Sequence, residues 1–190
     1  MSEFLRCLIG MFAVVAPVGA LAAVLANRKA FDPKPDTLLW VASPAAAFAV
    51  LTTFALLSDP LLDALDISPE SFQFAAGAGM FPIALRLMLT GDSTSVPERV
   101  PRSAWLIPLG VPALAGPSSI IAAVSYAARF GEGNAILAVA LVLGATSALL
   151  AAQEFFQRIP IVVLQTAGRL SGGLLLVIAV ELAVDGVRSV

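Results

Sequence analysis

Two prolines lie inside long uncharged stretches, Pro17 in the sequence Ala-Pro-Val-Gly and Pro117 in Gly-Pro-Ser-Ser. Proline removes one helical hydrogen bond and clashes with the preceding turn, so each site can divide a helix into two halves. The first N–H groups of the second half then lack partners and carry partial positive charge. This predicts a binding site for an anionic or zwitterionic solute, formed by Pro17, Gly19, Gly116, Pro117, Ser118 and Ser119. The alternative is a simple kink, with the freed backbone groups bonded to serine hydroxyls.

Two carboxylates, Glu181 and Asp185, lie near the end of the last apolar stretch and share one helix face because they are four residues apart. An ionisable residue at membrane depth is a candidate functional group by default. A carboxylate that faces the bundle interior can carry a proton, so both residues are candidates for ion coupling. If Glu181 faces the external interface instead, it has no such role. Arg86 and Arg169 lie near the opposite membrane surface by helix length, where long side chains reach water.

The composition is that of a membrane protein. Hydrophobic residues make up 59% and charged residues 13% of the 190 residues, and the mean hydropathy is +0.94. Soluble domains have about 25% charged residues, so a cytosolic enzyme, a disordered protein or a disulfide-rich module is not expected. The chain has no histidine and one cysteine, Cys7, and no nucleotide-binding motif, so neither a metal nor a cofactor is expected. A net charge of −2 argues against a nucleic-acid partner.

Six apolar stretches are long enough to cross a bilayer as helices, which requires about 20 residues each. They cover residues 7–27, 37–58, 71–90, 103–128, 133–153 and 162–184. The sequence therefore predicts an all-α membrane protein with six transmembrane helices joined by short connections. Backbone groups in lipid must be satisfied internally, which favours a helical bundle.

An internal repeat relates the two halves of the chain. A shift of 100 residues aligns Pro17 with Pro117, and a shift of 95 residues aligns Gly77 with Gly172. Each copy holds three spans, an odd number, so the copies insert in opposite orientations. The prediction is a 3+3 inverted-topology repeat, as in many secondary transporters. It comprises a first repeat at 1–90, a cytoplasmic linker at 91–103 and a second repeat at 104–190.

The glycines of the third and sixth spans are predicted to let these helices approach their neighbours closely, as small residues do in membrane bundles. They are Gly77, Gly79, Gly172 and Gly173. Pro44, a single proline in the second span, is predicted to make only a plain kink.

The basic residues predict the orientation. If the spans alternate, one side of the membrane holds three of the eleven Lys and Arg residues and the other holds eight. Because the basic side faces the cytoplasm, residues 28–36, 91–103 and 154–161 are predicted to be cytoplasmic. Both termini are then external (periplasmic), and the protein is a multi-pass protein of the cell inner membrane. The connection at 59–70 has four acids and no base, which fits an external loop.

The chain resembles the MarC family of integral membrane proteins, part of the wider LysE-like transporter superfamily. The resemblance rests on short stretches in the family's order over nearly the whole chain: residues 15–19, 74–77 with 83–86, 108–112 with 115–117, 168–172 and 185–186. Ala16 and Ser118 stand where the family typically has Asn and Gly, and Glu181 and Asp185 where neutral amides are frequent. The resemblance implies a multi-pass inner-membrane transporter of small solutes, while the departures at the site argue against carrying over a substrate.

Three functions follow from these observations. The first is a secondary transporter, an exporter of a small solute, and the second is a structural or accessory subunit of a larger membrane complex. A membrane enzyme ranks last, because no histidine, cysteine pair or carboxylate cluster supports one, and the protein is not expected to be an enzyme. Expected partners are membrane lipids and a small-molecule solute, with a second copy of the chain or another membrane subunit as further candidates. A polar cavity that reaches both prolines favours transport, whereas a dry bundle favours a scaffold.

Overall fold

The computed structural model describes residues 2–26, 37–91, 114–158 and 160–188. These residues form eight α-helices, a short 3₁₀ turn at Phe155–Arg158 and no strand, so the predicted all-α fold is confirmed for the described part of the chain. The helices are α1 (Glu3–Val15), α2 (Pro17–Ala26), α3 (Thr37–Leu56), α4 (Ser58–Ala64), α5 (Pro69–Thr90), α6 (Pro117–Phe130), α7 (Glu132–Ala151) and α8 (Ile161–Arg188).

Among the described residues, four segments are long and apolar enough to cross a bilayer: Glu3–Ala22, Pro69–Thr90, Glu132–Ala151 and Gln165–Arg188. A fifth is present if α3 and α4 count as one span, although they meet at a bend of 53°. The predicted second span, residues 37–58, corresponds to α3, which ends at Leu56, and the bend that follows was not predicted. The 14 residues of α6 extend about 21 Å, and the rest of the predicted fourth span, like the linker at 91–103, falls on residues 92–113, outside the described ranges.

The most extensive helix pairing joins α5 to α8. The two helices run antiparallel, since Gly77 lies against Ala183 whereas Gly172 lies against Met88. A Cβ atom on either glycine would collide with backbone atoms of the other helix, so the close approach requires glycine. Gly79 and Gly173 face open space instead. The predicted packing role is therefore confirmed for Gly77 and Gly172 and wrong for the other two.

A shift of 95 in residue number converts the contacts that α5 makes with α8 into the contacts that α8 makes with α5. Under the shift, the contact of Gly77 with Ala183 becomes that of Gly172 with Met88. Likewise, Gly91 lies against the carbonyl of Gln165, and Gly186 lies against the carbonyl of Glu70. An interface whose two sides make the same contacts in exchange has two-fold symmetry. The exchange relates α5 to α8, and the full six-helix repeat stays a prediction.

Two helices, α1 and α6, lie at the centre of the bundle. The first packs against α6, α7 and α8, and the second against α1, α3, α5 and α7. They run antiparallel, with the ring of Tyr126 lying where a side chain on Gly10 would project. Arg6, one turn before Gly10, and Arg129, one turn after Tyr126, line the same pocket. The end of the bundle that contains these two arginines is named here the Arg129 end.

Candidate functional site

The helix break predicted at Pro17 is present. The backbone of Ala16 is left-handed, with φ 47° and ψ 66°, and its N–H donates to the carbonyl of Phe12 at 3.0 Å. A new helix, α2, begins at Pro17, and the N–H of Ala20 donates to the carbonyl of Ala16. A left-handed alanine is uncommon, and such a conformation costs of order 1–3 kcal/mol. Pro17 and Gly19 are both buried, so this strained break lies inside the protein.

Pro117 occupies the equivalent place in α6, at the first position of the helix. Gly116 is the N-cap residue and provides no side-chain hydrogen bond to the helix terminus. Ser119 is buried, Ser118 is half-buried and Pro117 is exposed. The first N–H groups of α6, like those of α2, therefore lack partners within their own helix. Helices therefore begin at both predicted positions, Pro17 and Pro117, and the first half of the predicted fourth span falls on residues outside the described ranges.

Buried apolar residues flank both prolines. Val15 and Ala20 beside the first proline, and Leu114 and Ala115 before the second, belong to one cluster of buried apolar residues. This cluster also contains Cys7, the only cysteine of the chain. Among the described residues, apolar side chains therefore pack directly beside both ends of the predicted site.

A charged pocket lies at the Arg129 end. Arg129 Nη1 and Asp185 Oδ2 are 2.7 Å apart, and both side chains are a little over a quarter exposed. The pocket has a volume of about 180 Å³ and is lined by Arg6, Tyr126, Arg129 and Glu181, among others. It does not extend to Pro17 or Pro117. The predicted coupling residues therefore lie together, but at the end of the bundle.

Aromatic contacts orient the arginine of this pocket. The guanidinium of Arg129 lies 5.0 Å from the centre of the Phe130 ring. This ring in turn stacks on Tyr126, with 6.2 Å between the ring centres. A cation over an aromatic face is held electrostatically, so α6 supplies both a fixed positive charge and its support.

An apolar groove adjoins the charged pocket on the outside of the bundle. It has a volume of about 320 Å³ and lies between α1, α7 and α8. The residues that line it are all apolar and include Leu8, Phe12, Leu141 and Leu174. Ile9 lines both the groove and the charged pocket, so the two cavities are neighbours.

Comparison with known proteins identifies the family. The sequence model of the MarC family of integral membrane proteins matches residues 1–190 of the chain. The chain belongs to the MarC family. It is 29% identical to a UPF0056 membrane protein of Methanocaldococcus jannaschii, with 97% of this chain and 96% of the relative covered. It is 23% identical to the UPF0056 inner membrane protein YhgN of Escherichia coli K12, with 99% and 98% covered.

A third relative, a UPF0056 membrane protein of Aquifex aeolicus, is 27% identical, with 98% of this chain and 92% of the relative covered. No solved structure matches the chain at a significant level. The names of these relatives describe membrane proteins and state no activity. Family membership therefore establishes an integral membrane protein with several apolar helices, and leaves substrate and activity to be proposed.

Several hydroxyl groups inside this MarC-family bundle differ in how they are satisfied. Thr146 donates to the carbonyl of Val142 at 2.8 Å, and Ser147 donates to the carbonyl of Trp40 at 3.2 Å. These two hydroxyls are therefore structural, and the second joins α7 to α3. Four other buried hydroxyls make no hydrogen bond within the described ranges: Ser43, Thr52, Ser58 and Ser125. Among the described residues, no group of three side chains is placed to hold a metal ion.

The sequence interpretation identified Glu181 and Asp185 but not the other polar residues of the charged pocket. From the sequence, Arg6 and Arg129 serve as indicators of orientation, and nothing in the pattern assigns a role to Tyr126. Arg129 closes the fourth apolar stretch and aligns with Lys29 in the repeat, a weak signal of position. Which residues face one pocket depends on how three helices rotate against one another, and a single sequence does not give that rotation.

Proposed function

We propose that this MarC-family protein is a secondary transporter that exports a small anionic or zwitterionic solute across the inner membrane. The observation that carries the proposal is the break at Ala16 and Pro17, a left-handed turn inside Glu3–Ala22, the most buried candidate span among the described residues. Nonhelical backbone at membrane depth occurs where it is enclosed by protein or lines a cavity. A strained, enclosed break is the geometry that transporters use to bind substrate near the midplane.

The depth of the second half-helix supports a shared site. Gly10 and Tyr126 face each other on antiparallel helices. Seven residues onward from Gly10 is Pro17, and seven residues back from Tyr126 is Ser119. Both steps cover about 10 Å along a helix, so the N-terminus of α2 and that of α6 come to similar depth. The free N–H groups of both ends can then face one anionic group.

The exchange of contacts between α5 and α8 supports the inverted repeat that such a mechanism uses. An antiparallel pair related by a shift of 95 residues is what a two-fold axis in the membrane plane produces. In this proposal, the breaks at Pro17 and Pro117 are related by the same axis. Rocking of one repeat against the other then opens the central site to each side in turn.

Glu181 and Asp185 have different roles in the proposal. The bond between Arg129 and Asp185 ties α6 to α8 and closes the Arg129 end, which is the external end in the proposed orientation. Glu181 lines the same pocket and carries a coupling proton. Protonation of Glu181 would remove one negative charge from the pocket that Arg129 also lines.

The test is metabolite profiling of cells that lack the protein, overproduce it, or produce the variant Pro117→Ala. An exporter lowers one internal pool when overproduced and raises the same pool when deleted. Pro117→Ala should behave as the deletion although it is present in the membrane, because alanine lets the helix run through the break. Pro44→Ala is the matched control and should behave as wild type. No pool that moves in opposite directions, or equal effects of the two variants, would argue against transport.

A second function, that of a structural subunit of a larger membrane complex, is favoured by the buried apolar residues that flank both prolines. Leu114 is fully buried and Ala115 is 2% exposed, and the charged pocket stops short of them. Purification in a mild detergent separates the alternatives. A partner present in fixed stoichiometry favours the subunit, and a protein that purifies alone while Pro117→Ala abolishes export favours the transporter.

A further inference from the structure

We propose that the crevice between α1 and α8 at the Arg129 end is a binding site for one zwitterionic phospholipid of the phosphatidylethanolamine type. The headgroup occupies the charged pocket, and one acyl chain lies in the adjoining apolar groove. This inference concerns binding and does not depend on whether the protein transports a solute.

The two facing helices change from polar to apolar in the same direction. Along α8, Glu181 and Ile178 line the charged pocket and Leu174 lines the groove. Along α1, Arg6 lines the pocket, Ile9 lines both cavities and Phe12 lines the groove. From Glu181 to Leu174 is seven residues, or about 10 Å. A lipid passes from headgroup to hydrocarbon over a layer of about 5–8 Å on each side of a bilayer, so the crevice has the polarity profile of a lipid.

The charges of the pocket select a zwitterion. Arg129 is bonded to Asp185, whereas neither Arg6 nor Glu181 forms an ion pair with any described residue. One guanidinium and one carboxylate therefore remain for a ligand. A guanidinium binds a phosphate with two parallel hydrogen bonds, and a carboxylate accepts hydrogen bonds from a primary ammonium. Because the four charged side chains sum to zero, a neutral zwitterionic headgroup matches the pocket better than an anionic one.

The groove is suited to an acyl chain and not to a solute. Its lining is entirely apolar, and Phe12, Leu141 and Leu174 are each between two-fifths and just over one-half exposed on the outside of the bundle. A small polar solute would fill only the charged pocket and leave this groove to bulk lipid. When Arg6 and Glu181 hold the headgroup, the acyl chain already lies beside the groove. Its binding there therefore loses little additional orientational freedom.

The headgroup part is tested by native mass spectrometry of the full-length protein, titrated in detergent with phosphatidylethanolamine or phosphatidylglycerol. We expect one tightly bound phosphatidylethanolamine and weaker binding of the anionic lipid. Glu181→Gln should weaken phosphatidylethanolamine binding about tenfold, the effect of one lost charge-assisted hydrogen bond, and change phosphatidylglycerol binding little. Arg6→Gln should weaken both lipids. Asp63→Asn, an exposed carboxylate on α4, is the control and should change neither.

The chain part is tested with Leu174→Trp, which fills the groove, against Val180→Trp on the same helix. Val180 is 46% exposed and lines neither cavity, so it controls for a large side chain at the lipid surface. Leu174→Trp should weaken both lipids about tenfold and leave the elution profile in gel filtration unchanged. Glycerophosphoethanolamine, which has the headgroup without chains, should not displace the lipid at equal concentration. Equal binding by the two tryptophan variants, or equal affinity for the two lipids unaffected by Glu181→Gln, would overturn the proposal.

Discussion

Arg129 Nη1 lies 2.7 Å from Asp185 Oδ2, so an ion pair ties the last turn of α6 to the last turn of α8. A cation at a helix C-terminus is favoured by the helix dipole, whereas a carboxylate there is disfavoured. Arg129 therefore stabilises its own helix and also compensates for the unfavourable position of Asp185. The pair closes the charged pocket on one side and leaves Glu181 on the other as the carboxylate that faces the cavity.

We predict non-additive stability losses at this pair. Arg129→Gln and Asp185→Asn should each lower the free energy of unfolding by about 0.5–1 kcal/mol, a modest effect because the pair is partly exposed. That corresponds to about 1–4 °C in the thermal midpoint measured in detergent. The double variant should lose little more than either single variant. Arg188→Gln with Asp63→Asn is the control combination, and simple additivity at 129 and 185 would show that the pair is not coupled.

Alanine substitutions at four glycines should change the free energy of unfolding in two directions, with two variants destabilised and two stabilised. Gly77→Ala and Gly172→Ala introduce a Cβ against backbone of the facing helix, and we expect a loss of about 1–3 kcal/mol from overpacking. Gly79→Ala and Gly173→Ala introduce a Cβ into open space, so the higher helix propensity of alanine should stabilise them by up to about 1 kcal/mol. Thermal unfolding of the four variants in one detergent measures this. A destabilised Gly79→Ala would contradict the helix orientation described here.

These glycines illustrate what a single sequence can and cannot predict. Composition and apolar length were sufficient for the all-α membrane fold, and proline chemistry was sufficient for the break at Pro17. Spacing alone did not distinguish Gly77 from Gly79, because both are small and the rotation of α5 against α8 decides which one faces its neighbour. The bend between α3 and α4 was missed for a similar reason, since the apolar stretch continues through Leu57 without a helix-breaking residue.

The pairing of Arg129 with Asp185 is a second feature that the sequence alone does not predict. The two residues are 56 positions apart, and the sequence offered only Glu181 and Asp185 as neighbours on one helix face. Long-range pairs depend on the positions of three helices together, and local patterns carry no information on that arrangement.

The orientation of the termini is tested by cysteine labelling from outside the cell in a Cys7→Ala background. We predict that Ala64→Cys is labelled by a membrane-impermeant maleimide and that Ser95→Cys is not, because the basic side faces the cytoplasm. Permeabilised cells should label both positions, which serves as the control. Labelling of Ser95→Cys alone in intact cells would reverse the orientation, and labelling of both would indicate insertion in two orientations.

Glu181→Gln tests the proposed coupling. If Glu181 carries the coupling proton, the variant should be present at normal levels while solute flux loses its dependence on the external pH, because the amide cannot bind or release a proton. Flux into or out of proteoliposomes at several pH values measures this. Asp63→Asn is again the control and should keep the wild-type profile. A Glu181→Gln profile equal to wild type would remove the coupling role, and would leave the lipid site to be decided by its own binding test.

Substitutions at Ala16 and Pro17 distinguish the effect of the helix break on stability from its effect on export. Ala16 has a positive φ of 47°, which glycine adopts without steric cost, so Ala16→Gly should stabilise the protein by about 1 kcal/mol while keeping the break. Pro17→Ala restores an N–H group and removes the ring, so the helix can run from α1 into α2, and Ala16 can leave its strained conformation. We therefore expect Pro17→Ala to be at least as stable as wild type and to lose export. Both variants relieve strain, but only one removes the half-helix N-terminus. If both retain export, the break is a structural kink, and the subunit function becomes the better explanation.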